Sequence, residues 1–165
     1  MIGFKDFNVL KKRQGKKTKR VLAIASAGGH WLQLLRLRPA FDDCTVTYAT
    51  TLTGLPEEFG LERAHIIPDF SRKSKFKTIS AIISILLFII RIKPDVIVTT
   101  GAAPGLVALI LGKAMGKNTI WIDSIANAEE LSMSGKIAGK WANTWLTQWP
   151  HLQNEIGPYY KGSVF

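Results

Sequence analysis

His30 closes the run Ser26-Ala27-Gly28-Gly29-His30, a set of small residues lying between an apolar segment and a helical pattern. An imidazole takes or gives a proton near neutral pH. Two adjacent glycines allow positive φ and a close approach of ligand to backbone. A strand that feeds a helix through such a turn leaves N–H groups without acceptors at the helix start, where the helix dipole also favours an anion. The run is therefore a candidate phosphate-accepting corner that carries a histidine. The competing reading is a turn that only makes the corner, because neither G-x-G-x-x-G nor G-x-x-x-x-G-K-[ST] occurs here.

Other polar residues fall at equivalent places. Gly101-Ala102-Ala103-Pro104-Gly105 is a second small-residue turn after an apolar run, and Asp123-Ser124 ends a third. Farther on, Ser132 or Ser134 can cap a helix and Lys136 can meet an anion near its start, the alternative being plain capping with a solvated lysine. His30, His65 and His151 are widely separated, so no metal site is expected. The single cysteine, Cys44, precludes an intramolecular disulfide and fits a reducing compartment.

The elements that must position these residues alternate in type. Residues 21–25, 45–50, 65–67, 95–100, 119–123 and 145–148 are short β-branched or apolar runs, read as strands. Helical patterns follow at Leu32–Leu35, within Lys77–Arg91, at Leu106–Met115 and from the Ser132 region to about Asn143. Alternation of this kind predicts right-handed βαβ units and an α/β, Rossmann-like doubly wound parallel sheet in one domain over residues 21–165. Such sheets bind ligands outside the carboxyl ends of their strands, and Ser26–His30, Thr100–Gly105 and Asp123–Ser124 all belong to that edge. His65, at a strand start, reads as structural. Trp141, Trp145 and Trp149 read as core packing.

The net charge is +10, and residues 1–20 hold eight basic side chains against Asp6 alone. A basic arm on a nearly balanced domain asks for a polyanionic surface. Ile2, Phe4, Phe7, Val9 and Leu10 precede the lysines, which favours an anionic lipid interface, with Phe4, Phe7, Lys11, Lys12 and Arg13 as contacts; a solubilising tail is the alternative. Nucleic acid is not the expected partner, because basic and aromatic residues do not interleave on one surface. No 7–15-residue apolar h-region opens the chain, so no secretory signal is expected.

Between Lys77 and Arg91 lie thirteen uncharged residues, TISAIISILLFII. As a helix they span about 20 Å, short of a bilayer core. Ile79, Ile82, Ile83, Leu86 and Ile90 can face the sheet, which leaves Ile85, Phe88 and Ile89 for a second apolar face. That face, with Lys75, Lys77 and Arg91 at its ends, is read as a membrane contact rather than a buried crossover.

Taken together and in order, SAGGH at 26–30, KPDVIVTTG at 93–101, Pro104-Gly105, Asp123-Ser124, LSMSGK at 131–136 and Gln148-Trp149-Pro150 resemble the family of asparagine-linked glycosylation protein fourteen. Its bacterial capsule and exopolysaccharide relatives are similar, and the amino-terminal half of the MurG-type transferase is a more distant likeness. LSMSGK with QWP twelve residues later is the specific part. The resemblance implies half of a GT-B glycosyltransferase. It implies a subunit supplying the acceptor site and membrane attachment for a polyprenyl-pyrophosphate-linked saccharide, at the cytoplasmic face of the membrane. The UDP-sugar donor would be held mainly by a partner subunit, with no cofactor in this chain. By the same resemblance His30 and Asp123 become catalytic candidates, and Ser26, Gly28, Gly29, Gly101, Gly105, Ser134 and Lys136 become candidates for the acceptor pyrophosphate. Asp123 stands where relatives often carry Glu, and Asn127 where they often carry Arg. The alternative function is a non-catalytic anchor that recruits and activates a catalytic partner.

Overall fold

The computed structural model describes residues 18–61, 64–70 and 75–164. The expected lipid contacts Phe4, Phe7, Lys11, Lys12 and Arg13, and the side chain of Lys75, lie outside the described residues. Seven strands form one parallel sheet: β1 (Lys19–Ile24), β2 (Cys44–Thr50), β3 (Ala64–Ile66), β4 (Val96–Thr99), β5 (Asn118–Ile122), β6 (Thr144–Thr147) and β7 (Tyr159–Tyr160), in the order β3-β2-β1-β4-β5-β6-β7. The reversal of order lies between β1 and β4, which is the switch point where such sheets open a crevice. The expected Rossmann-like α/β fold is therefore present. β1 opens at Lys19, so Lys19 and Arg20 belong to the sheet rather than to the arm.

The period-two alternation of β1 sends its residues to two cores. Val21, Ala23 and Ala25 join Val96, Val98, Ile120 and Ile122 beneath α1 (Gly29–Leu35), a 3₁₀ turn (Arg38–Phe41) and α2 (Leu55–Glu58). Leu22, Ile24 and Ile97 point the other way, beneath α3 (Lys75–Ile92) and α4 (Ala102–Ala114). Leu109, Trp121 and Ala138 continue that second layer under α5 (Met133–Ala138). α4 lies close to the sheet because its inward face is small. A Cβ built on Gly105 would collide with Thr99, and one on Gly112 with Ile97.

The amino edge is stapled by an ion pair. Asp95 accepts from the Arg20 backbone N–H at 2.9 Å and from its guanidinium at 3.0 and 3.3 Å, and the Asp95 N–H donates back to the Arg20 carbonyl at 2.8 Å. The Arg20 hydrogen bond holds the Asp95 carboxyl below the ordinary aspartate range.

Three expectations are corrected. α3 is rotated from the expected setting: Ile85 and Ile89 are fully buried against the sheet, so neither faces a membrane, and Phe88 is half-buried against the same core, its ring centroid 4.5 Å from that of His65 in a tilted contact. The outward apolar residues are instead Phe76, Ile79, Ile83, Leu87 and Ile90. Lys77, Ser80, Ser84 and Arg91 recur at i, i+3, i+7 and i+14, and the inward face lies away from that polar stripe. Next, α5 ends at Ala138 instead of running to Asn143. A Cβ on Gly139 would come 2.7 Å from the Trp145 ring, so only glycine fits against that indole at the end of the helix. Finally, of the three spaced tryptophans only Trp145 packs against a core cluster. Trp141 is exposed, and Trp149 is half-buried with its indole N–H donated to the Ile125 carbonyl at 2.8 Å.

Candidate functional site

All strands are parallel, so the segments after β1, β4 and β5 gather at one edge. Ser26–His30, Thr100–Gly105 and Asp123–Ser124 lie there, as the strand pattern requires.

His30, the second residue of α1, is held by Thr100 in both directions. The Thr100 hydroxyl donates to the His30 carbonyl at 2.6 Å, and the His30 Nδ1 lies 2.9 Å from the Thr100 carbonyl oxygen. A carbonyl can only accept, so Nδ1 carries the hydrogen, and in the neutral ring Nε2 keeps its lone pair. The ring lies directly over Gly101. That residue has φ +133°, and a Cβ there would stand 2.6 Å from His30 Cε1. Any side chain at 101 would push the imidazole away.

The glycines divide by task. Gly28 (φ +80°) and Gly29 are exposed, with nothing within 4 Å of a built Cβ. Both stand at the start of α1, whose leading N–H groups have no acceptor within the helix. Gly101 and Gly105 are corrected: the Gly101 N–H is donated to Thr99 Oγ1 at 3.2 Å, and Gly105 is buried against Thr99. One seats the histidine and the other lets α4 approach the sheet. Ser26 is half-buried beside the Ala27 N–H, which is tied to Thr51 Oγ1 at 3.1 Å.

Asp123 is also corrected. It is almost wholly buried, and both its oxygens are occupied: Oδ1 accepts from Ser132 Oγ at 2.6 Å and Trp121 Nε1 at 3.2 Å, while Oδ2 accepts from the Ser132 N–H at 2.9 Å and Asn127 Nδ2 at 3.4 Å. A carboxylate filled in this way is a clasp that closes the loop between β5 and α5. Ser132, so held, caps α5 by accepting the Gly135 N–H at 2.8 Å, which settles the choice between Ser132 and Ser134. Ser134 is half-buried in the first turn of α5, and the exposed Lys136 pairs with Glu130 at 2.6 Å. An open hollow of about 320 Å³ beside the loop is lined by Ala126, Asn127, Ala128, Glu129 and Glu130. Of its two carboxylates, that of Glu130 is the one paired with Lys136.

Two residues that were not site candidates in the sequence lie at this edge. Gln33 and Gln148 are buried side by side, with Gln148 Nε2 donating to Gln33 Oε1 at 2.7 Å. The available signal was a glutamine at an inward position between Trp31 and Leu34, and another in the QWP motif.

A family model described as "Oligosaccharide biosynthesis protein Alg14 like" matches residues 43–164. The chain is 26% identical over 174 residues to the Schizosaccharomyces pombe UDP-N-acetylglucosamine transferase subunit alg14, covering 88% of this chain and 83% of the relative. Among solved structures, Acinetobacter baumannii MurG superposes with TM-score 0.69 at 15% identity, over 88% of this chain and 45% of that one. The UDP-N-acetylglucosamine 2-epimerase of Rickettsia bellii superposes with TM-score 0.68 at 13% identity, over 90% and 46%. The chain thus spans just under half the length of these two structures, and at such identities the likeness concerns the fold alone.

Proposed function

The chain belongs to the Alg14-like family of oligosaccharide biosynthesis proteins, and from that premise we propose that it is the acceptor-side subunit of a two-chain UDP-sugar glycosyltransferase. Its substrate is a polyprenyl-pyrophosphate-linked saccharide of capsule, exopolysaccharide or glycan-precursor synthesis. A partner subunit holds most of the UDP-sugar, and this chain brings no cofactor of its own. His30 Nε2 takes the proton of the acceptor hydroxyl as that oxygen bonds to the anomeric carbon and the bond from this carbon to UDP breaks. Backbone N–H groups at Gly28 and Gly29 face the acceptor pyrophosphate.

The observation that carries this reading is the tautomer of His30. The Thr100 carbonyl binds Nδ1–H and leaves Nε2 as the acceptor of a proton. Membrane attachment is supported by the outer face of α3, where Phe76, Ile79, Ile83, Leu87 and Ile90 are exposed beside Lys77 and Arg91. Between Asp69 and Asp123 the only acidic residue is Asp95, already paired with Arg20, so nothing on α3 repels an anionic leaflet. No helix among the described residues is long and apolar enough to cross a membrane. In this proposal the contact is peripheral, at the cytoplasmic face where the nucleotide sugar is available.

The test is reconstitution on anionic vesicles with the donor-binding partner, assaying transfer to a polyprenyl-pyrophosphate acceptor by wild type and His30→Ala. Transfer that needs both chains and falls by about a hundredfold or more in the variant, with the complex intact, supports the proposal. Transfer that survives His30→Ala would make the chain a non-catalytic anchor that recruits and activates its partner.

A further inference from the structure

We infer that Gln33 and Gln148 are positioning residues that set His30 against the loop following β5. The inference rests on the reading of His30 as the base. Gln33 follows His30 by three residues, so the two side chains leave neighbouring parts of one short helix. Its amide makes three bonds: Nε2 donates to Ser124 Oγ at 3.0 Å, and Oε1 accepts from the Ile125 N–H at 3.1 Å and from Gln148 Nε2 at 2.7 Å. Gln148, beyond the end of β6, also donates from Nε2 to the Asp123 carbonyl at 2.9 Å, and its Oε1 accepts from the Val164 N–H at 2.9 Å. Arg36, just after α1, donates to the Val164 carbonyl at 3.0 Å.

Two amides therefore join α1, the Asp123–Ile125 segment, the end of β6 and the stretch at Val164. Burying two glutamines is costly unless every polar atom finds a partner, and apolar side chains of the same size would fill the space at less cost. What apolar side chains lack is direction. Dispersion and water exclusion would keep α1 on the sheet without fixing how it slides or turns. A helix of seven residues has little stability of its own, so its setting is decided by such tertiary contacts. His30 is tied to β4 through Thr100, and Gln33 is tied to β5 and β6. Together they leave α1 one position, in which the imidazole faces the same edge as the clasped loop from Asp123 to Ser132.

Gln33→Met and Gln148→Met keep side-chain length and remove the hydrogen bonds. Gln33→Glu keeps the acceptors for Ile125 and Gln148, and the Ser124 hydroxyl can turn to donate to it. Three readouts are taken on the full chain: hydrogen exchange at the Ile125 and Val164 amides, ring resonances of isotope-labelled His30, and kcat and KM for transfer by the reconstituted pair. In Gln33→Met the expected result is faster exchange at Ile125, with the Ile97 and Ile122 amides still protected. The His30 ring signals shift, and kcat falls by about tenfold or more while KM for the donor stays within about twofold. Gln33→Glu is expected to recover kcat to within about threefold. If Gln33→Met does not fold, Gln148→Met is judged by the same criteria, with exchange read at Val164, and Ser124→Ala removes a single bond of the network as a milder case. Unchanged ring signals and unchanged kcat in a folded variant that has lost the protection of Ile125 would overturn the inference. So would a loss of kcat that Gln33→Glu shares in full. If the wild-type pair itself transfers nothing, the functional reading fails, and the His30 resonances alone then decide for or against the positioning role.

Discussion

Gly101 lacks a side chain because His30 needs the space. The glycine answers two demands at once, a φ of +133° and a ring lying where its Cβ would stand. Gly101→Ala is expected to cost about 1–3 kcal/mol of stability and to displace the imidazole from the Thr100 carbonyl. Denaturant unfolding and the transfer assay, run side by side, check this. Activity should fall further than the loss of folded protein accounts for, and an alanine variant of full activity would dissociate the seat from the function. The adjacent Ala102 has φ +63°, so the chain accepts positive φ at a non-glycine residue next to the histidine as well. By contrast Asp123, the most obvious catalytic carboxylate in the sequence, is consumed by Ser132, Trp121 and Asn127. Residue type suggested chemistry there, and hydrogen-bond accounting assigns structure.

Among the elements, α3 carries the most consequence. Its two long faces are both apolar, and only one is covered. Leu87 is 59% exposed whereas Ile85 and Ile89 are 0% exposed, so substitutions two residues apart should act on different properties. Leu87→Glu is expected to leave the unfolding midpoint near wild type and to weaken partition onto anionic vesicles by tenfold or more, since burying a leucine is worth about 1.5–3 kcal/mol. Ile85→Glu is expected to unfold the chain, because it places an unpaired charge in the core. Co-sedimentation with vesicles at two salt concentrations, together with thermal melts, separates these outcomes. Equal partition of wild type and Leu87→Glu would remove α3 from the membrane contact. Because α3 runs from the carboxyl edge back to the start of β4, its Phe76 and Lys77 end lies toward the edge that holds His30. A lipid-borne acceptor would then reach the site from the surface on which the helix rests.

For the molecule as a whole, the sheet is held at both edges by different chemistry. At the carboxyl edge buried neutral amides and a clasped carboxylate join the loops. At the amino edge the exposed Arg20–Asp95 pair joins β1 to the approach of β4. The Asp95 carboxyl is held below its unfolded value by that arginine. A group of this kind adds stability that is complete above the unfolded pKa and is lost as pH falls through the folded one. Asp95→Asn should therefore lower the melting temperature slightly at pH 7, and the gap between variant and wild type should close as pH falls below about 4. Both side chains are about two-fifths exposed, so the effect is small and screened by salt. A gap that persists at pH 2 would show that the asparagine acts by another route.

Strand number, direction and the identity of the carboxyl edge were largely legible in the sequence. Short apolar runs alternating with helical patterns leave few topologies for a parallel sheet, and the small-residue turns mark where each strand hands over to its helix. The one strand missed was β7, whose two residues carry no pattern. His30 stood out for the same reason, as an imidazole on a small-residue turn. The rotation of α3 was harder to read. Isoleucine and leucine populate both faces, so hydrophobicity alone gives no angle, and the weak polar stripe from Lys77 to Arg91 was the only guide. Nor could the sequence decide which polar residues act and which merely pair. Asp123 and Ser132 are nine residues apart, Gln33 and Gln148 are separated by 115, and the partner that fixes each is chosen by the sheet order. Composition and spacing determine which groups are available at an edge. Whether a lone pair at that edge is free or already filled depends on distances between segments far apart in the chain, and only the tertiary structure sets those.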